Sequence, residues 1–385
     1  MWGNKVSKKL TAAILSGVLA ISVAGCGGAK ENAKPAGDSG GAKIGVISYL
    51  TGGGAAYGKA IRQGFELAQS EINAAGKVKI DLLIEDSKGE KGEAINAMNK
   101  LIHKDNVVAI LGPTLSGEMF AAGPIANQVG VPTMGTSTTA EGITEMGQFI
   151  FRNAIPEYAV IPQVIKATKD KLGLKRVALM YSNNNDQHVS AFKTYEKVLK
   201  ENGIEIVTIE SFADKDTDFS AQLTKIASLK PDAVVVAALY QEGALIMKKA
   251  RDLGITVPFI GNNGFVSPQL ITSAGAAANG LIIGTPWYPE KDSEIVKKFV
   301  AAYQAKYNEL PDQFAAQAYD AVYLYAAALE KTGNNTDRKQ LRDALANIKD
   351  IEGVTGNFSF DANRNPDMEI NILEVVDGKF VEFKR

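Results

Sequence analysis

Cysteine is almost absent from this chain of 385 residues: the only one is Cys26. No intrachain disulfide can form, so the fold must be held by packing alone. Histidine is nearly as scarce. His103 and His188 stand far apart, and neither belongs to a His-Glu-x-x-His or comparable ligand spacing, so no metal site is expected. No strand-to-helix serine elbow supports serine hydrolysis, and the lone cysteine at the end of an apolar leader offers no thiol nucleophile to the body. Gly52-Gly53-Gly54 follows a strand-like run without the Gly-Lys-Ser/Thr or Gly-x-Gly-x-x-Gly of a phosphate loop. Those glycines fit a sharp turn or a close approach of backbone to ligand. An excess of one charge is also missing, because 42 Lys plus Arg face 43 Asp plus Glu. Without a concentrated basic face, nucleic acid is not an expected partner. After Cys26 no apolar run approaches the roughly 20 residues that span a bilayer. The chain reads as neither an enzyme nor a cofactor carrier.

What is present begins with Lys5, Lys8 and Lys9, an apolar stretch from Leu10 to Ala24 relieved by small hydroxyl residues, and then Val23-Ala24-Gly25-Cys26. These are the three parts of a secretory signal. A small residue before a cysteine enters a narrow peptidase site, and the thiol takes a lipid; the segment resembles the lipobox of bacterial lipoproteins. The other reading is an ordinary signal peptide with an incidental cysteine. The Gly-, Ala-, Ser- and Lys-rich stretch to Ala42 reads as a flexible tether. The expected organisation is a signal peptide over 1–25, a lipidated Cys26 with tether over 26–42, and an extracytoplasmic body held at the cell membrane.

The body is longer than one core ordinarily supports, which predicts two lobes. Val- and Ile-rich runs bounded by Gly, Pro or Asp predict strands at Ile44–Leu50, Ile80–Ile84, Val107–Leu111 and Val131–Met134. Helical periodicity predicts helices over Lys59–Ala75, Glu90–Lys104 and Ser116–Gln128 between them. A second series follows Pro156, with strands at Val177–Tyr181, Ile204–Ile209, Ala233–Ala238 and Phe259–Gly261. Such βαβα alternation implies parallel sheets with helices on both faces. Pro286-Trp287-Tyr288-Pro289 interrupts it, and helices near Ser293–Lys306 and Ala315–Lys331 lead into a tail. The predicted fold is α/β, two doubly wound parallel-sheet lobes, with 43–156 plus 287–371 in the first and 157–286 plus 372–385 in the second.

Several segments carry a resemblance that covers the whole body. They include Ile44-Gly45-Val46, Tyr57-Gly58, Gly64-Phe65-Glu66-Leu67-Ala68, Asn73-Ala74-Ala75-Gly76, Leu111-Gly112-Pro113, Gly130-Val131-Pro132, Ala250-Arg251-Asp252-Leu253-Gly254 and Ala315-Ala316-Gln317-Ala318-Tyr319-Asp320. In order and spacing these resemble the branched-chain amino acid binding proteins of bacterial ABC transporters, which are type I periplasmic binding proteins. The resemblance implies three hinge crossovers, a small amino acid or related carboxylate trapped in an interlobe cleft, a monomer, and an ABC permease with its ATPases as partner. A sensory module serving a separate kinase or chemoreceptor is the alternative.

Ser116 opens a helix directly after a strand, where it serves either as a plain cap or as an anion ligand. The resemblance makes Ser116 and Thr139 the hydroxyls on the ligand carboxylate, gives Ser137 a carbonyl for the ammonium, and lines the pocket with Tyr57 and Phe314. It also brings Tyr240 close to a family tyrosine. Two departures affect the second lobe. Asn263 stands where the family has a glutamate for the ammonium, and Asp186 or Gln187 stands where it has a tyrosine. Asp186 either restores the lost charge or caps the helix that follows, and Trp287 is either a lid or a packed aromatic.

Overall fold

The computed structural model describes residues 40–384. The signal segment, Cys26 and most of the expected tether lie outside them. The first strand, β1 (Ala42–Ser48), leads into α1 (Ala55–Ala75), β2 (Ile80–Asp86) and α2 (Lys91–Asn99), after which a π turn over Lys100–Lys104 ends the predicted long helix. There follow β3 (Ala109–Leu111), α3 (Ser116–Val129), β4 (Thr133–Gly135) and β5 (Ile150–Arg152). These strands form one sheet in the order β2-β1-β3-β4-β5, parallel throughout.

The chain then crosses to a second sheet. Its elements are α4 (Glu157–Leu172), β6 (Arg176–Ser182), α5 (Asp186–Glu201), β7 (Glu205–Phe212), α6 (Ser220–Leu229), β8 (Ala233–Ala237), α7 (Tyr240–Asp252), β9 (Phe259–Gly261), α8 (Pro268–Ala274) and β10 (Leu281–Thr285). From β10 it returns toward the first sheet through α9 (Glu294–Tyr307), α10 (Gln313–Lys331) and α11 (Arg338–Ala346). A small antiparallel sheet of β11 (Ile351–Gly353), β12 (Gly356–Phe360) and β13 (Pro366–Asp367) comes next. The third crossing delivers β14 (Asn371–Val376) and β15 (Lys379–Glu382) to the second sheet, whose order is β15-β14-β10-β9-β8-β6-β7.

Packing explains why continuous apolar runs became central strands. Val234, Val235 and Val236 are all fully buried, so both faces of β8 are covered by helices. The expectation of purely parallel sheets needs correction at one edge, where β14 runs antiparallel to β10 and β15 antiparallel to β14. Asp377 and Gly378 join β14 to β15 with φ of 49° and 74°. Two consecutive positive φ values define the tight hairpin turn whose twist suits paired strands. Strand β10 escapes the sequence reading because Gly284 interrupts its apolar run. A Cβ there would stand 2.4 Å from Val160 Cγ1, so the glycine lets α4 lie close against the sheet.

The two sequence-distant helices α1 and α10 meet at Gly64. A Cβ on that residue would stand 2.2 Å from the Ala315 carbonyl oxygen. Alanine is the better helix former by up to about 1 kcal/mol, so an idle glycine would gain stability on substitution. The contact predicts the opposite sign: Gly64→Ala should destabilise by about 1–3 kcal/mol through overpacking. Urea unfolding followed by circular dichroism checks this, and an unchanged or raised midpoint would refute it.

Candidate functional site

Loops at the carboxyl ends of both sheets converge between them, which is where open α/β sheets bind ligands. From the first sheet come the turn after β3, leading to Ser116, and the hydroxyl-rich loop Thr136–Thr139 after β4. From the second come the loops after β6, β8 and β9. They meet at a pocket of about 30 Å3 lined by Tyr57, Thr114, Leu115, Ser116, Ser137, Gln187, Leu239, Asn263, Gly264 and Phe314. Six residues singled out in the sequence thus lie together: Tyr57, Ser116, Ser137, Gln187, Asn263 and Phe314.

Each is held in a defined way. Ser116 is the first residue of α3, so its peptide N–H and that of Gly117 are among the unpaired donors at a helix start. Its hydroxyl accepts from the Ala140 N–H at 3.2 Å. The hydroxyl of Ser137 donates to the Thr114 carbonyl at 2.6 Å, which leaves the Ser137 carbonyl rather than its side chain for other use. Arg152, fully buried, steadies the loop from behind by donating to the carbonyls of Ala140 at 2.6 Å and Thr138 at 3.3 Å, and to Asn365 Oδ1 at 2.6 Å. The Thr136, Thr138 and Thr139 hydroxyls are buried with no hydrogen-bond partner among the described residues. A loop so rich in unpaired donors, next to a helix start, favours an anion.

Tyr57 joins the two sides. Its hydroxyl donates to the Gly264 carbonyl at 2.6 Å and accepts from the Tyr240 N–H at 2.8 Å. Its ring meets Phe314 and Tyr240 edge-on, with centroids 4.9 and 5.1 Å away. Tyr240 therefore supports the pocket from behind Tyr57, and its own hydroxyl donates to the Gly53 carbonyl at 3.1 Å. Asp186 lies elsewhere. It sits at the cleft mouth, 2.6 Å from Lys91 Nζ and more than a third exposed. The helix it begins is capped by Asn185, whose side chain accepts from the N–H groups of Gln187 and His188. Trp287 is buried and packs edge-on against Phe299.

Glu157 is the residue that sequence reasoning missed. It begins α4, where an acidic residue ordinarily does no more than complement the helix dipole. Here it is buried beside the pocket, against two of its lining residues: Oε1 accepts from Gln187 Nε2 at 2.6 Å and from the Asn263 N–H at 3.0 Å. Its backbone N–H donates to the Thr139 carbonyl at 3.1 Å. Oε2 is buried without a hydrogen-bond partner. A carboxylate from a different element thus stands beside Asn263, held by the Asn263 N–H. Burial pushes the Glu157 carboxyl up to about 7, against the opposing pull of the Asn263 and Gln187 hydrogen bonds and of the nearby Thr139 side chain, which lies outside hydrogen-bond geometry. Among the described residues no cluster of three or more His, Cys, Asp and Glu could hold a metal ion. No described helix is long and apolar enough to cross a membrane.

The raised Glu157 carboxyl makes stability depend on pH. Between about 4.5 and 7 the folded state holds a proton that the unfolded state has released, so stability falls as pH rises through that window. Glu157→Gln is neutral throughout. Relative to wild type it should gain on the order of 3 kcal/mol between pH 4.5 and pH 8 in the ligand-free protein. Urea titrations of both proteins at the two pH values read the difference, and a gap that does not change with pH would contradict the assignment.

Comparison with known proteins agrees with this architecture. Residues 41–379 match the family model described as periplasmic binding protein. The Leu/Ile/Val-binding protein BraC3 of Rhizobium johnstonii is 28% identical over 325 residues, which is 82% of this chain and 86% of the relative. A branched-chain amino acid transporter substrate-binding protein of Streptococcus pneumoniae, solved with isoleucine, superposes with a TM-score of 0.82 at 35% identity, covering 88% of this chain and 97% of that one. A solute-binding protein of an ABC transporter from R. palustris, solved with benzoate, gives a TM-score of 0.82 at 26% identity, covering 89% and 96%. Proteins of this family are extracytoplasmic binding components of ABC transporters and not a class of enzymes. The chain belongs to the periplasmic binding protein family, among the substrate-binding proteins of branched-chain amino acid ABC transporters.

Proposed function

We propose that this protein is a lipid-anchored, monomeric solute-binding component of an ABC importer, and that it captures an α-amino acid between lobes formed by 43–156 plus 287–371 and 157–286 plus 372–385. The observation that supports this reading most directly is the buried Glu157 carboxylate with one unpartnered oxygen, set against a hydroxyl-rich loop and a helix start. Donors on one side and a carboxylate on the other suit a zwitterion. Ser116, Thr139 and the α3 N–H groups would take the ligand carboxylate. Glu157 and the Ser137 carbonyl would take the ammonium, with Gln187 and Asn263 fixing Glu157. Tyr57 and Phe314 would wall the ligand in, braced by Tyr240. Asp186 would serve as part of a closing latch with Lys91.

A pocket of about 30 Å3 has room for only two or three waters, so ligand enters an open form and the Tyr57 contacts remake over it. The permease then distinguishes closed from open by a surface that spans both lobes. Branched-chain side chains are the first class to test, and the benzoate complex of the R. palustris protein makes carboxylates without an amino group the second.

Calorimetry with leucine, isoleucine and valine beside their des-amino analogues tests the zwitterion. The amino acids should bind, and Glu157→Gln should weaken them about 100-fold, as expected for loss of a buried charged partner worth roughly 3 kcal/mol, while leaving the analogues little changed. Equal binding of analogues and amino acids by the wild-type protein would end this reading. Cys26 lies outside the described residues, and its role is read by fractionation: Cys26→Ser should move the protein from membrane to soluble fractions, and unchanged membrane retention would remove the lipid anchor.

A further inference from the structure

Beyond the head-group pocket, and sharing its Leu115 and Leu239 walls, lies a chamber of about 360 Å3 at the cleft mouth. A side chain that outgrows the head-group pocket has this adjoining chamber to extend into. About half of its lining is polar. Tyr49, Asn184, Asp214, Lys215, Gln241 and Glu242 face one another across it.

Most of its charges are already matched. Lys91 pairs with Asp186 at 2.6 Å and Lys215 with Glu90 at 3.4 Å. Asp214 accepts from Asn185 Nδ2 at 2.8 Å and lies 3.6 Å from His188 Nδ1. Glu242 differs. It is 3% exposed, its Oε1 accepts from the Lys215 N–H at 2.9 Å, and its Oε2 is buried with no partner. Burial raises its carboxyl above the usual range. An aliphatic side chain would strip water from these groups and return no hydrogen bond. A cationic side chain would give Glu242 the partner it lacks, in a charge-assisted bond roughly twice as strong as a neutral one.

We infer that this chamber is the side-chain subsite and that it selects α-amino acids with a positively charged side chain, an ammonium or guanidinium paired with Glu242. The inference rests on the amino acid reading above and refines it. Calorimetry of the purified protein with lysine, arginine, glutamine, leucine and norleucine, which matches lysine without its terminal ammonium, provides the test. Lysine or arginine should bind at least 10-fold more tightly than norleucine, leucine and glutamine. Glu242→Gln keeps a carbonyl for the Lys215 N–H and removes the charge, so it should shrink the preference for the basic amino acids over norleucine to under 3-fold. Leucine, norleucine or glutamine binding as tightly as the basic amino acids, or a preference that survives in Glu242→Gln, would overturn the inference while leaving the amino acid reading intact. Binding of benzoate with no α-amino acid bound at all would overturn both.

Discussion

A carboxylate buried away from water is unfavourable unless its oxygens are bonded or its charge is matched, and in this protein Glu157 is only half provided for. Gln187 and the Asn263 peptide bind one oxygen, while the other has no partner. Much of the cleft is arranged around that imbalance. The loop Thr136–Thr139, the start of α5 and the turn after β9 all meet at this side chain. Arg152, itself buried and bonded only to carbonyl and amide oxygens, holds the loop in place from behind without supplying a direct ion pair. A positive charge beside Glu157 would relieve that imbalance.

Closure is set by contacts of graded strength. At the centre, Tyr57 donates to one lobe's carbonyl and accepts from that lobe's N–H, and its ring lies between two other aromatic rings. Such buried, directional contacts fix the register of the closed form. At the mouth, Lys91–Asp186 and Lys215–Glu90 are exposed pairs, and pairs of that kind are worth only about 0–1 kcal/mol. A firm centre with a weak rim concentrates the adhesion between the lobes at Tyr57.

The lobes and their helices were legible because burial on two faces demands continuous Val- and Ile-rich runs, as at Ala233–Ala237, and because helices on those faces demand the 3.6-residue period. Legibility failed where a local rule yielded to packing. Gly284 weakened the reading of β10 but admits α4. The hairpin at Asp377-Gly378 and the antiparallel edge were passed over as parts of a tail. The short β5, α8 and the amphipathic α11 likewise carry too few residues to stand out from their surroundings.

Six of the nine ligand-site candidates meet at one pocket, because a residue just past a strand's carboxyl end must lie at the cleft in this fold. The sequence by itself determined the two-lobe fold, those loops and the absence of catalytic or metal-binding patterns. Only the tertiary structure brought a buried carboxylate up against the pocket wall. Glu157 is 106 residues from Asn263 and 30 from Gln187 along the chain, and at the start of a helix it reads as an ordinary dipole partner. Its burial and its missing partner come from the approach of three loops drawn from two sheets, and that approach is set by packing between segments too distant in sequence for any local pattern to record it.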